Sequence, residues 1–407
     1  MNIIRFKRFA LLILLSGIFC SCNESLEIPQ KPLPEPVPEE GSRTVLAYIA
    51  ADNSLTSFSL KDLNEMIEGM ELVNTQENTM LVYIDRYEIK DRKRILAPQL
   101  IRICRNTDNS IMLDTLQTYD VYRNSMGVEE MKEVCSYAFG RFPAKGYGLI
   151  LWSHGDGWIP FNSPKSRWIG QDTDAGGKDK RMDIDKLHEV LKDISYHLDF
   201  LFFDACYMQS IEVAYELKDF ADYFIGSPTE IPGPGAPYQR VMPFLFAKLD
   251  AAVRIAESYY GYYNEIYKAG VGISDDNWTG GVSISVLKSD ALDALAAITS
   301  QIPLYTSGWV NTSGIKCYDS LREKNYYDMD AFMRLLAADD ALYQSWKDAY
   351  NAAVVYAKTT EMNYNTSYSY GGRMVSMEGF TGVSTYILAN KASSYYKTLA
   401  WYTASGG

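Results

Sequence analysis

Apolar and polar positions along the chain fall into alternating blocks of strand-like and helix-like spacing. Val45 to Ala50 form an unbroken apolar run that ends in Asp52-Asn53, which predicts a buried strand followed by a turn. From Phe58 to Leu72 the apolar residues Leu60, Leu63, Met66, Ile67 and Met70 recur at helical spacing. "MLVYID" (80–85) is a second buried strand, and 100–104 with 111–116 predict a hairpin. Residues 128–142 are amphipathic and helical; a strand at 147–152 and a polar Gly/Lys/Asp-rich loop at 161–181 follow. A helix at 183–195, a strand at 199–203, a helix at 209–218 and a strand at 222–226 complete this half.

The remainder repeats the theme more loosely. Residues 238–268 are largely helical, "GGVSISVLK" is a strand and 289–301 a helix. Helices near 328–338 and 342–352 and strands near 353–357, 372–376 and 381–387 close the chain. Strands that alternate with helices, each a nearly continuous apolar run, imply a mostly parallel sheet with helices on both faces. Right-handed crossovers restrict the topology. With the first four parallel strands in the order 2-1-3-4, strands 147–152 and 199–203 are neighbours. Their carboxyl ends are then the edge on which open α/β sheets build sites.

The N-terminus carries a processing signal rather than fold. Arg5, Lys7 and Arg8 precede an apolar stretch from Phe9 to Phe19 that is too short to span a bilayer. "FCSCNES" then offers Ser21-Cys22 as a lipoprotein junction, with an ordinary secretory signal as the alternative. Residues 1–21 are thus a signal peptide and Cys22 the lipidated residue. Residues 22–43 hold five prolines and form an extended tether. At roughly 3 Å per residue it could hold a domain about 50–60 Å from a membrane. Residues 44–300 form the core and 301–407 a helix-and-strand extension packed on it. The expected location is a bacterial envelope, at the outer membrane or cell surface.

Of the 407 residues, 47% are hydrophobic, which suits a globular chain, and the net charge of −12 argues against a nucleic-acid partner. Beyond the signal stand Cys104, Cys135, Cys206 and Cys317, with no zinc spacing and too few for a disulfide scaffold.

Two stretches carry chemistry. "LILWSHGDGW" places His154-Gly155 after one strand, and "LDFLFFDACYMQSIEVAYEL" places Asp204-Ala205-Cys206 after the next. A thiol becomes a nucleophile when an imidazole takes its proton. A helix starting just after the thiol would favour negative charge there. A lone Cys after a strand is by itself more often a core residue. Together, in this order, the stretches resemble the clostripain-type cysteine peptidases, relatives of caspases, legumain and gingipains. "VLAYIAADNSLTSFSLKDLNEM" is similar to the first strand and helix of that family. The resemblance covers roughly residues 44–240 well and the remainder weakly. It implies an α/β caspase-like three-layer sandwich with an α+β C-terminal extension. It makes Cys206 the nucleophile, His154 its base and acid, and the N–H groups of Gly155 and Cys206 the oxyanion hole. His188 and His197, in or just after a helix, read as structural.

Clostripain-like enzymes cleave after Arg or Lys, and a buried cation at that P1 position needs an acidic pocket. Asp204 and Glu230 are the candidates; Asp204 could equally cap backbone. The loop 226–239 has Pro and Ala where a further carboxylate is expected. Relatives cut themselves in the loop between the two motifs, which makes Lys165, Arg167, Lys178, Lys180 and Arg181 candidate sites, with a plain surface loop as the alternative. Some relatives depend on calcium, but no EF-hand spacing is present and no cofactor is predicted as required. The competing readings are an inactive surface lipoprotein that binds peptide or glycan, which 31 Tyr and 7 Trp would suit, and a transpeptidase using the same dyad.

Overall fold

The computed structural model describes residues 41–90, 93–94, 96–159, 169–173, 180–270, 273–274, 277–302, 310–319, 324–366, 372–387 and 394–407. They belong to one compact unit. Among them, nine strands form one sheet. These are β1 (Gly41–Ala51), β2 (Asn78–Arg86), β3 (Gln99–Arg105), β4 (Ile111–Thr118) and β5 (Ala144–Trp152). The others are β6 (Phe200–Asp204), β7 (Tyr223–Gly226), β8 (Ser283–Lys288) and β9 (Val354–Thr359). Their order is β9-β8-β7-β6-β5-β1-β2-β3-β4. The five strands β2, β1, β5, β6 and β7 run parallel. Antiparallel pairs extend the sheet on both sides. The expected order of the first four parallel strands is the observed β2-β1-β5-β6.

Alternation along each strand sends side chains into two separate cores. Leu46 and Tyr48 of β1, Leu149 and Leu151 of β5, and Leu201 and Phe203 of β6 enter one core. Helices α2 (Val128–Arg141), α3 (Ile184–Ile194) and α4 (Ile211–Leu217) cover it, together with α7 (Leu292–Thr299), α8 (Met329–Leu336) and α9 (Asp340–Ala353). Val45, Ala47, Ile49, Ile150, Trp152 and Phe202 enter the other. That face is covered by α1 (Thr56–Gly69), α5 (Tyr238–Leu245) and α6 (Ala251–Ile266). A short α10 (Ala400–Ala404) packs with α4 through Trp401 and Tyr215. The layers are helix, sheet, helix, with one continuous apolar core on each face of the sheet.

Four local features differ from the sequence reading. The helix expected over 238–268 is two helices, because Asp250 adopts a left-handed φ of 55° and starts α6 anew. On α1, Leu60 is exposed while Ser59 and Asp62 are fully buried, so the packed face is rotated from the one the apolar spacing marks. Inside the loop 161–181, Ile169–Asp172 and Lys180–Met182 pair as an antiparallel hairpin anchored by buried Ile169 and Met182. The C-terminal part does more than pack on a core ending at 300: β9 pairs with β8 and completes the sheet.

Candidate active site

β5 and β6 are parallel neighbours, and Trp152 stands opposite Asp204 in their register. His154 and Cys206 each follow that pair by two residues, at the carboxyl edge of the sheet. Both line one cavity of about 300 Å³. The equal offset is what brings a residue from each loop to the same height.

Close approach of the two loops depends on Gly155. A Cβ there would lie 2.6 Å from the Cys206 carbonyl oxygen and 2.8 Å from the Ala205 Cβ. Only glycine avoids this clash. Beyond the thiol, Tyr207 takes a left-handed φ of 59°, uncommon for a bulky residue. Its N–H donates to the Thr229 carbonyl at 3.0 Å, which binds the turn to the loop after β7. The helix expected over 209–218 is present, but it starts two residues later than expected. α4 begins at Ile211, and the Ser210 hydroxyl caps it by accepting from the Val213 N–H. The dipole effect is confined to the first turn, and a left-handed turn separates that turn from Cys206.

The loop after β1 supports the His154 loop. The Ser54 hydroxyl lies 2.8 Å from His154 Nε2. Asn53, fully buried, donates to the Ala50 and Gln171 carbonyls and to Ser153 Oγ at 3.0, 2.8 and 3.3 Å. Ser153 in turn donates to the Ala50 carbonyl at 2.7 Å. Asn53 thus does more than turn the chain after β1.

Cys206 is half-buried, and the Ile231 N–H donates to its sulfur at 3.4 Å. Burial pushes the thiol up from its ordinary value, and the Glu230 carboxylate adds to the effect. Three acids, Asp156, Asp204 and Glu230, line the cavity, and no Lys or Arg does so among the described residues. Asp204 is buried and accepts from the Ala236 N–H at 3.0 Å, from the Tyr238 hydroxyl at 2.8 Å and from the Tyr259 hydroxyl at 3.4 Å. Burial raises it to about 6 against these donors. Glu230 accepts from the Thr366 N–H and hydroxyl, both at 2.8 Å, and from Tyr207 at 3.3 Å.

The remaining candidates are dispersed. Lys180 and Arg181 lie in the hairpin strand opposite Asp172 and Gln171. Lys165, Arg167, Lys178 and Cys22 fall outside the described residues. His188 contacts the Glu216 carbonyl and exposed His197 contacts Asp222; neither lines the cavity. Cys104, Cys135 and Cys317 lie away from its wall, and the Cys317 thiol donates to Asp319 at 2.9 Å.

Two residues beside the site escape motif reading. Ser54 gives no local signal, since its partner lies 100 positions away. Asp62 gives one: it stands four residues before Met66, on the face of α1 that packs against the sheet. Elsewhere, Asp52, Asp85 and Asp172 bring carboxylate oxygens within 4.8 Å of one another. Such hard oxygen donors suit a cation like calcium, and here they also bind protein. The Ser125 N–H donates to Asp172 at 2.8 Å, its hydroxyl donates to Asp85, and the Thr173 hydroxyl donates to Asp52 at 3.3 Å. They fasten the loop after β1 to the hairpin.

Comparison with known proteins finds similar chains over most of this length. The model of the Clostripain family matches residues 47–405. A secreted cysteine protease of Bacteroides thetaiotaomicron, solved in complex with an irreversible peptide inhibitor, is 50% identical. It superposes with a TM-score of 0.81 over 90% of this chain and 99% of its own. An inactive zymogen protease from Parabacteroides distasonis is 31% identical, with a TM-score of 0.76 over 91% and 100% of the two chains. Clostripain of Hathewaya histolytica is 25% identical over 218 residues, 49% of this chain and 41% of that relative. The chain therefore matches well under half the length of that curated relative.

Proposed function

We propose, from the premise that this chain belongs to the clostripain family of cysteine peptidases, that it is an endopeptidase in which Cys206 and His154 form the catalytic dyad. The supporting observation is their equal offset past the Trp152–Asp204 pair, at one cavity wall. Burial and the neighbouring Glu230 carboxylate raise the Cys206 thiol, so His154 is needed as the base that takes its proton. Cys206 Sγ attacks the scissile carbonyl carbon as its proton passes to His154. The N–H groups of Gly155 and Cys206 receive the oxyanion. His154 returns the proton to the leaving amine, and water then cleaves the thioester. A relative half-identical to this chain forms a complex with an irreversible peptide inhibitor, as a reactive thiol would.

The substrate is a peptide with Arg or Lys at P1. Three cavity acids, with no Lys or Arg beside them among the described lining, support this. Asp204 lies next to Trp152, and Glu230 is tied to Thr366. Cleavage of a positional peptide library by the purified protein tests the reading: a preference for basic P1 is expected, and a preference for Ala overturns it.

Activation proceeds by self-cleavage at Lys165, Arg167 or Lys178. The backbone at Lys180 and Arg181 is paired in a ladder, which would have to open before a peptidase could bind it. The Parabacteroides relative is known as an inactive zymogen. Lipid on Cys22 tethers the chain to the envelope. Mass spectrometry of the mature N-terminus decides this, an unmodified start elsewhere being contrary.

A further inference from the structure

The wall of the cavity beneath Cys206 rests on an acid that the cavity itself does not display. Asp62, on α1, is fully buried. Its Oδ2 accepts the Trp152 indole N–H at 2.6 Å. Its Oδ1 is buried and has no hydrogen-bond partner among the described residues. Trp152 and Asp204 both line the cavity and face each other in register. Gly235 marks how tightly these groups meet. A Cβ there would stand 2.7 Å from Asp204 Oδ2 and 3.1 Å from Trp152 Nε1. The order from the cavity into the protein is thus Asp204 and Trp152 first, then Asp62.

Burying a carboxyl with one oxygen unpaired is unfavourable. An apolar residue at this helical position would fill the core without that penalty. Anchoring Trp152 alone would need only a neutral acceptor, such as Asn. A carboxylate does two further things. It polarises the indole through the N–H and makes the ring a better partner for a cation. It also adds negative potential where water is excluded and charges are weakly screened.

We propose that Asp62 is a specificity-determining residue that selects a cationic P1 side chain, acting through Trp152 and alongside Asp204. This rests on the reading of a basic P1 pocket. Asp62 supplies from α1 the second acid that the loop 226–239 lacks. The P1 stem packs on the wall that includes Trp152, its cation meets Asp204, and Asp62 answers from behind the indole.

The test compares kcat/KM for matched peptides with Arg or norleucine at P1, in wild type, Asp62→Asn and Asp204→Asn. Asp62→Asn should lower the Arg-to-norleucine ratio roughly tenfold, as expected for one charge acting over about 10 Å at intermediate dielectric. The ratio is taken within each variant, so loss of folded enzyme cancels. A ratio that falls in Asp204→Asn but stays within twofold of wild type in Asp62→Asn overturns the inference and leaves the basic pocket standing. A wild type that prefers norleucine overturns the basic pocket itself.

Wild type alone gives a second measurement. Asp62 is raised well above its ordinary value, first by burial and then by Asp204 and Glu65, with the Trp152 N–H and Lys61 opposing. The groups facing it are Lys61 and Glu65 from α1, Asp204 from β6, Tyr238 from α5 and Tyr263 from α6. Asp204 itself stands at about 6. The Arg-to-norleucine ratio should rise with pH as Asp204 and Asp62 ionise; a ratio that does not rise with pH overturns the inference.

Discussion

Trp152 and Asp204 face each other across the parallel ladder of β5 and β6, and the whole site is measured from that pair. Two residues further along, the chain places His154 on one side and Cys206 on the other. On the near side, Asp62 holds Trp152, and Tyr238 and Tyr259 hold Asp204. Strand register thus fixes the height of His154 and Cys206, and buried polar contacts fix the shape of the pocket.

Gly155→Ala should cripple the enzyme without unfolding it. The new Cβ would press on the Cys206 carbonyl at 2.6 Å, pushing apart the two N–H groups assigned to the oxyanion. A fall of roughly 100-fold in kcat is expected, the size seen when one oxyanion donor is lost. Peptide kinetics beside a thermal melt check this; full activity would contradict the close approach.

Ser54→Ala should affect catalysis more than binding. Its hydroxyl lies 2.8 Å from His154 Nε2 and positions the ring. Loss of that contact should reduce kcat about tenfold with KM little changed. Ser54→Thr, which keeps a hydroxyl, should restore most of the rate. A drop confined to KM, or no rescue by Thr, would show that the contact does not orient the base.

Much of this site was legible because it follows strands that announce themselves. The apolar runs at 147–152 and 199–203 end abruptly at His154-Gly155 and Asp204-Ala205-Cys206, and parallel topology does the rest. Ser54 and Asp62 were not legible as site residues. Each makes its decisive contact about 90 to 100 positions away, with His154 and Trp152. Apolar spacing on α1 marked Leu60 for burial, but the sheet wanted Asp62 inward and left Leu60 exposed. The break at Asp250 and the pairing of β9 with β8 were hidden for the same reason, since tertiary partners overrode local propensity.

The buried acids also set the response of stability to pH. Burial holds Asp204 at about 6 and Asp62 well above its ordinary value, against about 3.9 in an unfolded chain. The folded state therefore binds more protons than the unfolded one above that value. Their stabilising share is complete below about pH 4 and is lost as pH rises through the folded values. Asp62→Asn removes one such group, so it should melt higher than wild type at pH 8, by roughly 2 °C. The gap should narrow towards pH 5. A variant that melts lower at pH 8 would show that the Asp62 carboxylate stabilises the fold.

The most direct measurement is peptide cleavage by Cys206→Ala, His154→Ala and the double variant, each confirmed as folded by its melt. Both single variants should fall to background, and the double should be little worse than either, because linked catalytic groups do not contribute additively. Cys206→Ala with full activity would contradict the account at its centre.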